Sequence, residues 1–284
     1  MNRWKQKLLN DGLIHLELFI TRKCNIKCKN CMFYCNINKT EDDNLYPIEH
    51  VRRDFEKLKK AGVVIGSVVF MGGEPLMVDN LLEYIKVIRE FYTKCNISIF
   101  TNAVLLNRLC NEESINILKQ YNATICYTRY LKYIPSALKH ITFLKDNDVI
   151  VDCIGDMEHN TTQDNRIQTM MNKQTLLPID SNIDIFDNSN IHFQGCEHNL
   201  LHICDGKIYT CGRGYNIKYL NEKYGFKYPE KNYIDIDAVR SNEDLIQFSY
   251  KPCKLCAYCA NVDSNNPQTV PWSQEPAEIT DYIE

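Results

Sequence analysis

Apolar and polar positions in the first half of the chain follow a repeating strand–helix order. Val63 to Met71 is a nearly continuous run of β-branched and aromatic residues, which predicts a buried strand. Before it, Val51, Phe55 and Leu58 fall on one face of a predicted helix. The same analysis predicts strands at 13–20, 63–71, 97–101, 123–128 and 149–154, and helices at 47–61, 81–92, 114–120 and 134–146.

Alternating strands and helices predict a parallel sheet with helices outside it, and hence an α/β fold. Ligand sites in such sheets lie at the carboxyl ends of the strands. From Met157 to Asn190 the pattern weakens into a polar stretch, which we interpret as a boundary and a loop on the substrate side. A short sixth strand is predicted near Ile183 to Phe186.

Three cysteines follow the first predicted strand: Cys24, Cys28 and Cys31, with Cys-x3-Cys-x2-Cys spacing. Thiolates suit both iron–sulfur clusters and zinc, and three protein ligands leave one iron of a [4Fe–4S] cluster open for a small molecule. A structural zinc loop with its fourth ligand elsewhere is the alternative. Zinc sites usually read Cys-x2-Cys in two pairs, so the spacing favours the iron–sulfur interpretation.

A second motif, Gly72-Gly73-Glu74-Pro75, ends the predicted strand at 63–71. Paired glycines at the end of a strand let a ligand approach the backbone closely. The carboxylate of Glu74 can pair with an ammonium group. Alone, Gly-Gly-Glu indicates only a turn, but here it comes one strand–loop–helix unit after the cysteine triplet.

Together the two motifs resemble those of the radical S-adenosylmethionine (SAM) superfamily. The resemblance implies that the cysteine triplet holds a [4Fe–4S] cluster, that SAM chelates the open iron, and that the Gly-Gly-Glu segment binds the methionine amino group. It implies homolytic cleavage of SAM to a 5′-deoxyadenosyl radical, which takes hydrogen from the substrate. It also implies a partial (βα)6 barrel. One departure is Asn30, where the family commonly has an aromatic residue before the third cysteine.

Polar residues at other predicted strand ends are further candidates. Thr101 and Asn102 follow the third strand, where the resemblance implies a contact with SAM, although a turn after a strand explains them equally well. Arg129 follows the fourth strand and can meet the SAM carboxylate or an anionic substrate. A solvated position on the protein surface is the alternative explanation for this arginine.

Composition agrees with an intracellular redox enzyme. The 284 residues are 44% hydrophobic with a formal charge of −3, which is enough to bury one substantial core and gives no indication of a nucleic-acid-binding face. We find no signal peptide and no membrane-spanning apolar run, and expect a cytoplasmic protein without a membrane partner. Fourteen cysteines in a chain of this length indicate metal binding rather than a secreted disulfide scaffold.

Cysteines return near the end of the chain in two groups. Cys196 and Cys211 flank a predicted hairpin at 203–210, and Cys253, Cys256 and Cys259 follow about forty residues later. In isolation these thiols would suit a zinc ribbon. After a radical SAM core they resemble the SPASM/Twitch appendage, and the shorter Twitch form fits better because no cysteine follows Cys259.

The resemblance to the Twitch form implies one auxiliary [4Fe–4S] cluster with Cys196, Cys211, Cys253 and Cys256 as ligands. We therefore predict a radical SAM partial barrel at 1–190 and an auxiliary-cluster domain with the C-terminal tail at 191–284. Cys204 and Cys259 do not match the pattern, so we consider them alternate ligands or free thiols with a catalytic role. Cys35 is a further catalytic candidate, because it lies close in sequence to the cluster and can donate a hydrogen atom.

The favoured function is dehydrogenation or epimerisation of a small carbohydrate-like metabolite, with a flavodoxin or ferredoxin as reductant. Radical modification of a ribosomally made peptide is the main alternative. It is less favoured because the first strand begins near Leu13 and leaves no room for an N-terminal peptide-recognition domain. Minor alternatives are a glycyl-radical activase and a non-catalytic metal-binding module.

Overall fold

The computed structural model describes residues 11–37, 46–130, 133–153, 170–172, 175–179, 189, 196, 200–260, 269–271, 273–274 and 276–283. The strands are β1 (Ile14–Thr21), β2 (Ile65–Gly72), β3 (Asn96–Thr101), β4 (Ala123–Tyr127), β5 (Val151–Cys153), β6 (Met170–Asn172), β7 (Leu201–Cys204), β8 (Lys207–Tyr209), β9 (Tyr233–Asp235) and β10 (Thr269–Pro271). The helices are α1 (Ile48–Lys60), α2 (Leu81–Phe91), α3 (Glu112–Gln120), α4 (Ile134–Asp146), α5 (Gly212–Tyr224) and α6 (Asn242–Ser249).

The first five strands form a parallel sheet in the order β5-β4-β3-β2-β1, with α1 to α4 in the connections between them. This arrangement confirms the predicted α/β fold. The predicted apolar face of α1 is also confirmed, since Val51, Phe55 and Leu58 are all completely buried. Burying each such side chain contributes about 1.5–3 kcal/mol, which fixes the helix against the sheet.

The two faces of the parallel sheet differ in polarity. Side chains alternate along each strand, so Leu16 and Leu18 of β1 share the fully buried face with Val68 and Phe70 of β2. These residues join the core that includes the apolar face of α1. The opposite face carries these polar residues: His15, Glu17, Ser67, Ser98, Thr124 and Asp152.

The predicted hairpin at 203–210 is confirmed, and it extends the same sheet. Strands β7 and β8 pair in antiparallel fashion around Asp205 and Gly206. Both turn residues have positive φ, 42° and 78°, as a type I′ turn requires. Strand β7 also pairs in parallel with β1, and β9 pairs with β8. The sheet therefore crosses the predicted domain boundary at residue 190, and that boundary stays a prediction.

A second, smaller core lies beside the main one. Its members come from the segment after the first cysteine triplet and from segments that follow β6, including α5: Tyr34, Ile37, Leu176, Ile217, Leu220, Tyr228, Leu255, Ala257, Tyr258 and Tyr282. This core joins the N-terminal cysteine loop to the C-terminal region through apolar contacts.

The last two predictions concern a sixth strand and membrane-spanning segments. The predicted sixth strand at 183–186 lies outside the described residues. Within the part of the chain that the structure describes, no helix is both long and apolar enough to cross a bilayer.

Candidate active site

The first cysteine triplet lies in a loop that begins where β1 ends at Thr21. Asn36 holds this loop from one side, because its amide nitrogen donates to the carbonyl oxygens of Cys28 at 2.6 Å and Lys29 at 2.9 Å. The backbone N–H of Tyr34 donates to the carbonyl oxygen of Cys31 at 2.9 Å. The loop is thus ordered by its own backbone and by one amide side chain.

The three thiols lie close enough to repel one another when ionised. Burial raises the pKa of Cys24 to about 12, and the negative charges of Cys31, Glu74 and Cys28 add to that rise. Cys35 lies beside the triplet, and its hydrogen bond to Cys31 lowers the pKa of Cys31 to about 7. Ionised together, these thiolates require a cation among them, and cluster iron is a group that supplies one.

The paired glycines permit a close approach between two stretches of this chain's own backbone. A Cβ atom at Gly72 would lie 2.3 Å from the carbonyl oxygen of Thr21, and one at Gly73 would lie 2.1 Å from that of Lys23. The N–H groups of Gly73 and Glu74 donate to those same oxygens at 2.8 and 2.7 Å. The end of β2 is therefore bound directly to the start of the cysteine loop.

Glu74 is a buried carboxylate, 1% exposed, that organises the end of β3. One oxygen accepts from the N–H of Leu76 at 3.0 Å and the hydroxyl of Thr101 at 2.7 Å. The other accepts from the N–H of Asn102 at 2.8 Å. Burial raises the pKa of Glu74 to about 7, although these hydrogen bonds lower it. The predicted residues Glu74, Thr101 and Asn102 are thus brought together.

Asn102 connects this carboxylate to the cysteine loop. Its amide nitrogen lies 3.8 Å from the sulfur of Cys24 and donates to the side-chain oxygen of Asn25 at 2.8 Å. The strand-end residues and the cysteine triplet therefore share one edge of the sheet, as the rule for parallel sheets predicts.

Tyr130 is a site residue that the sequence analysis missed. Its hydroxyl forms a hydrogen bond with Cys28, and burial together with the charges of Cys28 and Cys31 raises its pKa. About one hundred residues separate the two partners in sequence, and neither belongs to a motif that indicates the contact. Only the strand order, which places the end of β4 near the loop, produces it.

A small pocket opens beside this tyrosine, at the carboxyl ends of β3 and β4. Asn102, Tyr127, Arg129, Tyr130 and Tyr133 are among its lining residues. The predicted residue Arg129 therefore lies next to the cysteine site, with its guanidinium 6.0 Å from the ring centre of Tyr127.

A second group of thiols surrounds the start of α5. Cys253 and Cys256 have their sulfurs 3.5 Å apart, and a hydrogen bond from Cys256 lowers the pKa of Cys253 to about 7. Burial raises the pKa of Cys211 to about 12, and the charges of Cys253 and Cys196 contribute to that rise. The four predicted auxiliary ligands therefore lie in one neighbourhood.

Arg213 is a buried cation, 5% exposed, within this thiol group. One of its nitrogens lies 3.8 Å from the sulfur of Cys259 and 3.4 Å from the carbonyl oxygen of Thr175. Burial lowers the pKa of Arg213, but the charges of Cys259, Tyr34, Cys211 and Cys196 raise it. Since these acidic groups are thiols and a phenol, a buried guanidinium here suits thiolates that are ionised by iron.

The remaining cysteine candidate, Cys204, lies elsewhere. It is part of the main core on β7, where Tyr215 donates a hydrogen bond to it and Asp205 lies nearby. Burial raises the pKa of its thiol to about 12. Among the described residues, no three His, Cys, Asp or Glu side chains converge tightly enough to chelate a single metal ion.

Comparison with known proteins matches residues 18–131 to the family model of the Radical SAM superfamily. GTP 3′,8-cyclase of Clostridium botulinum (strain Okra / Type B1) is 30% identical over 112 residues, which are 39% of this chain and 34% of that protein. GTP 3′,8-cyclase of Helicobacter pylori is 23% identical over 164 residues, which are 52% of this chain and 50% of that protein. This chain thus spans between a third and a half of these relatives.

Among solved structures, BtrN in complex with AdoMet and 2-DOIA is 15% identical and has a TM-score of 0.50. The alignment covers 90% of this chain and 97% of BtrN, so the two share a fold. The family match covers the second half of β1, the cysteine triplet, the Gly-Gly-Glu segment and the strand-end residues up to Tyr130. Residues 18–131 of this chain therefore match the Radical SAM superfamily, whose members use a [4Fe–4S] cluster together with SAM.

Proposed function

We propose that this protein is a radical SAM enzyme that takes hydrogen from a C–H bond of a small carbohydrate-like metabolite, leading to dehydrogenation or epimerisation. The observation that carries the proposal is the convergence of Cys24, Asn102 and Glu74 at the carboxyl edge of the sheet. The sulfur of Cys24 lies 3.8 Å from the amide nitrogen of Asn102, whose backbone N–H donates to Glu74 at 2.8 Å.

Cys24, Cys28 and Cys31 would hold the cluster. When bound and reduced, the cluster supplies the electron that cleaves SAM to methionine and a 5′-deoxyadenosyl radical. Glu74 holds the end of β3 in position through its hydrogen bonds to Thr101 and Asn102. The glycines before it keep the cysteine loop against the end of β2. These contacts fix the cysteine loop and the ends of β2 and β3 relative to one another, which would preorganise the site.

The cavity lined by Asn102, Tyr127 and Arg129 would take the part of SAM or substrate that extends from the cluster. Its aromatic residues offer apolar contact, and the guanidinium of Arg129 offers a cation for a carboxylate. Tyr130 lies between this cavity and the cysteine triplet, because its hydroxyl bonds to Cys28. We assign it a positioning role at the boundary between cofactor and substrate.

An auxiliary [4Fe–4S] cluster would occupy the second thiol group, with Cys196, Cys211, Cys253 and Cys256 as the ligands that the Twitch pattern implies. The buried guanidinium of Arg213 supports this assignment, since a desolvated cation is stable beside thiolates and costly beside neutral thiols. Bound there, a second cluster can accept the electron that a substrate radical loses on oxidation.

The polar face of the sheet supports a hydroxylated small molecule as substrate. Glu17 and His202 meet on this face, 2.7 Å apart, and His15 bonds to Ser67 at 2.7 Å. Hydroxyl, carboxylate and imidazole groups of this kind recognise sugar-like hydroxyl groups by hydrogen bonding.

Anaerobic reconstitution tests the radical assignment. With iron, sulfide, SAM and a reductant such as flavodoxin, the protein should produce 5′-deoxyadenosine, and replacement of all three cysteines of the first triplet by Ala should abolish it. The triple variant should retain about four irons per chain in the second site. Production of no 5′-deoxyadenosine by fully loaded protein would reject the assignment, and loss of iron from both sites together would contradict two separate clusters.

The substrate class needs a separate measurement. We would compare 5′-deoxyadenosine formation above the substrate-free rate for aminocyclitols and sugars, for nucleotides, and for peptides from genes next to that of the enzyme. Deuterium transfer from a labelled substrate into 5′-deoxyadenosine then identifies the carbon that loses hydrogen. Stimulation by a peptide alone would replace the carbohydrate assignment.

A further inference from the structure

The side-chain amide of Asn102 is held in one orientation by hydrogen bonds at both of its ends. Its oxygen accepts from the N–H of Val104 at 3.0 Å. Its nitrogen donates to the side-chain oxygen of Asn25 at 2.8 Å and to the sulfur of Cys24 at 3.8 Å, a distance that the large radius of sulfur allows. Since the oxygen must face the N–H of Val104, the end of the amide that faces Cys24 is the donor.

The turn that carries Asn102 contains a residue with an uncommon backbone conformation. Ala103 has φ of 66°, which costs a residue with a Cβ atom about 1–2 kcal/mol. Two hydrogen bonds offset this cost: the N–H of Ala103 donates to the hydroxyl of Thr101 at 3.1 Å, and that of Asn102 donates to Glu74 at 2.8 Å. Backbone conformations of this kind cluster at functional sites. Here the strained turn holds the amide of Asn102 against the cysteine loop.

A donor in this position acts on the electron density of a cluster ligand. Cysteine binds iron as a thiolate, and hydrogen bonds to the sulfurs are one of the factors that set the reduction potential of an iron–sulfur cluster. Such a bond stabilises the reduced cluster more than the oxidised one, because the reduced cluster carries one more negative charge. Cys24 and Asn102 are both partly buried, which limits competition from water.

We propose that Asn102 is a positioning residue for the first cluster: its amide donates a hydrogen bond to the ligand sulfur of Cys24 and raises the reduction potential of the cluster. The inference rests on the proposed cluster at Cys24, Cys28 and Cys31. It gives Asn102 a role that the SAM contact implied by the resemblance does not include. A higher potential makes the cluster easier to reduce by a flavodoxin or ferredoxin.

The test uses the full-length protein with Cys253 and Cys256 replaced by Ala, so that all bound iron belongs to the first site. Into this parent we introduce Asn102→Ser. The serine hydroxyl is too short to reach Cys24 but can still accept from a backbone N–H in the turn. We expect about four irons per chain, as in the parent, and a midpoint potential more negative than that of the parent. A redox titration monitored by EPR, without SAM, measures the potential.

Asn111→Ser is the matched control. Asn111 makes the same two kinds of hydrogen bond at the start of α3: its oxygen accepts from the N–H of Ser114 at 2.9 Å, and its nitrogen donates to the carbonyl oxygen of Arg108 at 3.0 Å. The substitution therefore removes an amide that serves the start of a helix rather than the cysteine loop. The potential of this variant should equal that of the parent.

A second pair of variants separates the hydrogen bond from the effect of charge. Asn102→Asp keeps an oxygen for the N–H of Val104 but replaces the donor that faces Cys24 by a charged oxygen. Asn25→Asp adds the same charge next to Cys24 in sequence and leaves the amide of Asn102 in place. We expect the potential of Asn102→Asp to be more negative than that of Asn25→Asp.

An Asn102→Ser protein with the parent potential would overturn the proposal. A shift in Asn102→Asp no larger than that in Asn25→Asp would overturn it as well, because charge alone would then explain the shift. If Asn102→Ser does not fold, the comparison of the two Asp variants decides. A parent protein that binds no iron would instead reject the first cluster itself, so the two failures are distinguishable.

Resonance Raman spectra of the oxidised cluster give an independent readout. A hydrogen bond withdraws electron density from the sulfur and weakens its bond to iron, so loss of the hydrogen bond should raise the frequency of an Fe–S(Cys) stretching band. We expect this rise in Asn102→Ser and not in Asn111→Ser. An unchanged spectrum in Asn102→Ser would show that the amide does not contact the ligand sulfur.

Discussion

Glu74 receives hydrogen bonds on both carboxylate oxygens while it is almost completely removed from water. The hydrogen bonds that Glu74 accepts stabilise the end of β3, but removing its ionised form from water is unfavourable. The raised pKa of about 7 shows that desolvation is the larger effect. An ammonium group bound beside Glu74 would offset that cost, and this is the role that we propose for the residue.

The same balance predicts how stability depends on pH. The pKa of Glu74 is about 7 in the folded protein and about 4.5 when unfolded, so the folded state binds the extra proton between these values. Below pH 4.5 the raised pKa of Glu74 should add up to about 3 kcal/mol to the free energy of unfolding. This contribution should be lost as the pH rises through 7. Glu74→Gln should lack this dependence.

Urea unfolding of the cluster-free protein between pH 5 and 8 measures this difference. The exposed carboxylate variant Glu83→Gln serves as the control and should follow the wild-type curve. Parallel pH profiles for Glu74→Gln and wild type would show that Glu74 keeps an ordinary pKa in the folded protein.

Gly73 gives a second prediction at the scale of one residue. Its alanine variant would place a Cβ atom 2.1 Å from the carbonyl oxygen of Lys23, so the cysteine loop must move away from β2. We expect Gly73→Ala to lower the free energy of unfolding by about 1–3 kcal/mol. SAM binding to the cluster-loaded protein should weaken as well, since the moved loop carries Cys24.

Gly62→Ala is the matched control for this change. Gly62 has φ of +72° but no atom within 4 Å of its would-be Cβ, so alanine there costs only backbone strain of about 1 kcal/mol. Its SAM affinity should stay at the wild-type value. Equal loss of SAM affinity in both variants would mean that general destabilisation, and not the position of the cysteine loop, controls binding.

At the scale of elements, the helix α5 is fixed to the cysteine loop by one arginine. Arg22 donates to the carbonyl oxygens of Phe33 at 3.3 Å and Tyr34 at 2.8 Å, and to the side chain of Asn216 on α5. Its guanidinium also lies 3.5 Å from the ring centre of Tyr219. The guanidinium of Arg22 thus joins the loop after β1 to helix α5, which Cys211 precedes.

We therefore expect Arg22 and Asn216 to be coupled in a double-mutant cycle. Arg22→Met removes every hydrogen bond that the Arg22 guanidinium donates, whereas Asn216→Ala removes one of them. The interaction energy between the two substitutions should be about 1–3 kcal/mol. Chemical denaturation measures it. Arg89, whose donors bind Tyr121 and Cys95 carbonyls away from α5, should show additivity with Asn216→Ala. Additive effects of Arg22 and Asn216 would disprove the link.

Elements that depend on nearby residues could be predicted from the sequence, whereas pairing between distant strands could not. Helix α1 follows from the spacing of Val51, Phe55 and Leu58, and the turn at Asp205-Gly206 follows from its residue types, because both signals act within a few residues. The cysteine groups and Glu74 were predictable from motifs. The pairing of β7 with β1, by contrast, joins residues almost two hundred positions apart and has no local signal.

The same limit applies to the site. Tyr130 beside Cys28 and Arg213 beside Cys259 are contacts created by tertiary packing, and an isolated tyrosine or arginine in a sequence does not indicate its partner. The role of the glycines was only partly predictable. Their spacing indicated a close approach, but the group that approaches in the structure is the chain's own backbone at Thr21 and Lys23.

At the scale of the whole molecule, the end of the described chain returns to the first cysteine loop. The hydroxyl of Tyr282 donates to the carbonyl oxygen of Lys29 at 2.9 Å and lies 2.8 Å from the side-chain oxygen of Asn36. Its ring packs edge-on against Tyr34 at 5.2 Å. Asn36 in turn holds Cys28, so a residue about 250 positions away supports the cluster loop through two contacts.

Tyr282→Phe should therefore weaken iron binding at the first site without removing any iron ligand. The change leaves the ring in place and deletes the hydroxyl, whose single proton is donated to Lys29 or Asn36, at a cost of about 1–3 kcal/mol. With Cys253 and Cys256 replaced by Ala, all iron belongs to the first site, and its release to a chelator should become about ten-fold faster. Tyr92→Phe is the matched control, because the buried Tyr92 hydroxyl has no hydrogen-bond partner among the described residues. The Tyr92→Phe variant should release iron at the parent rate. If Tyr282→Phe also released iron at that rate, the cysteine loop would keep its shape without the C-terminal contact.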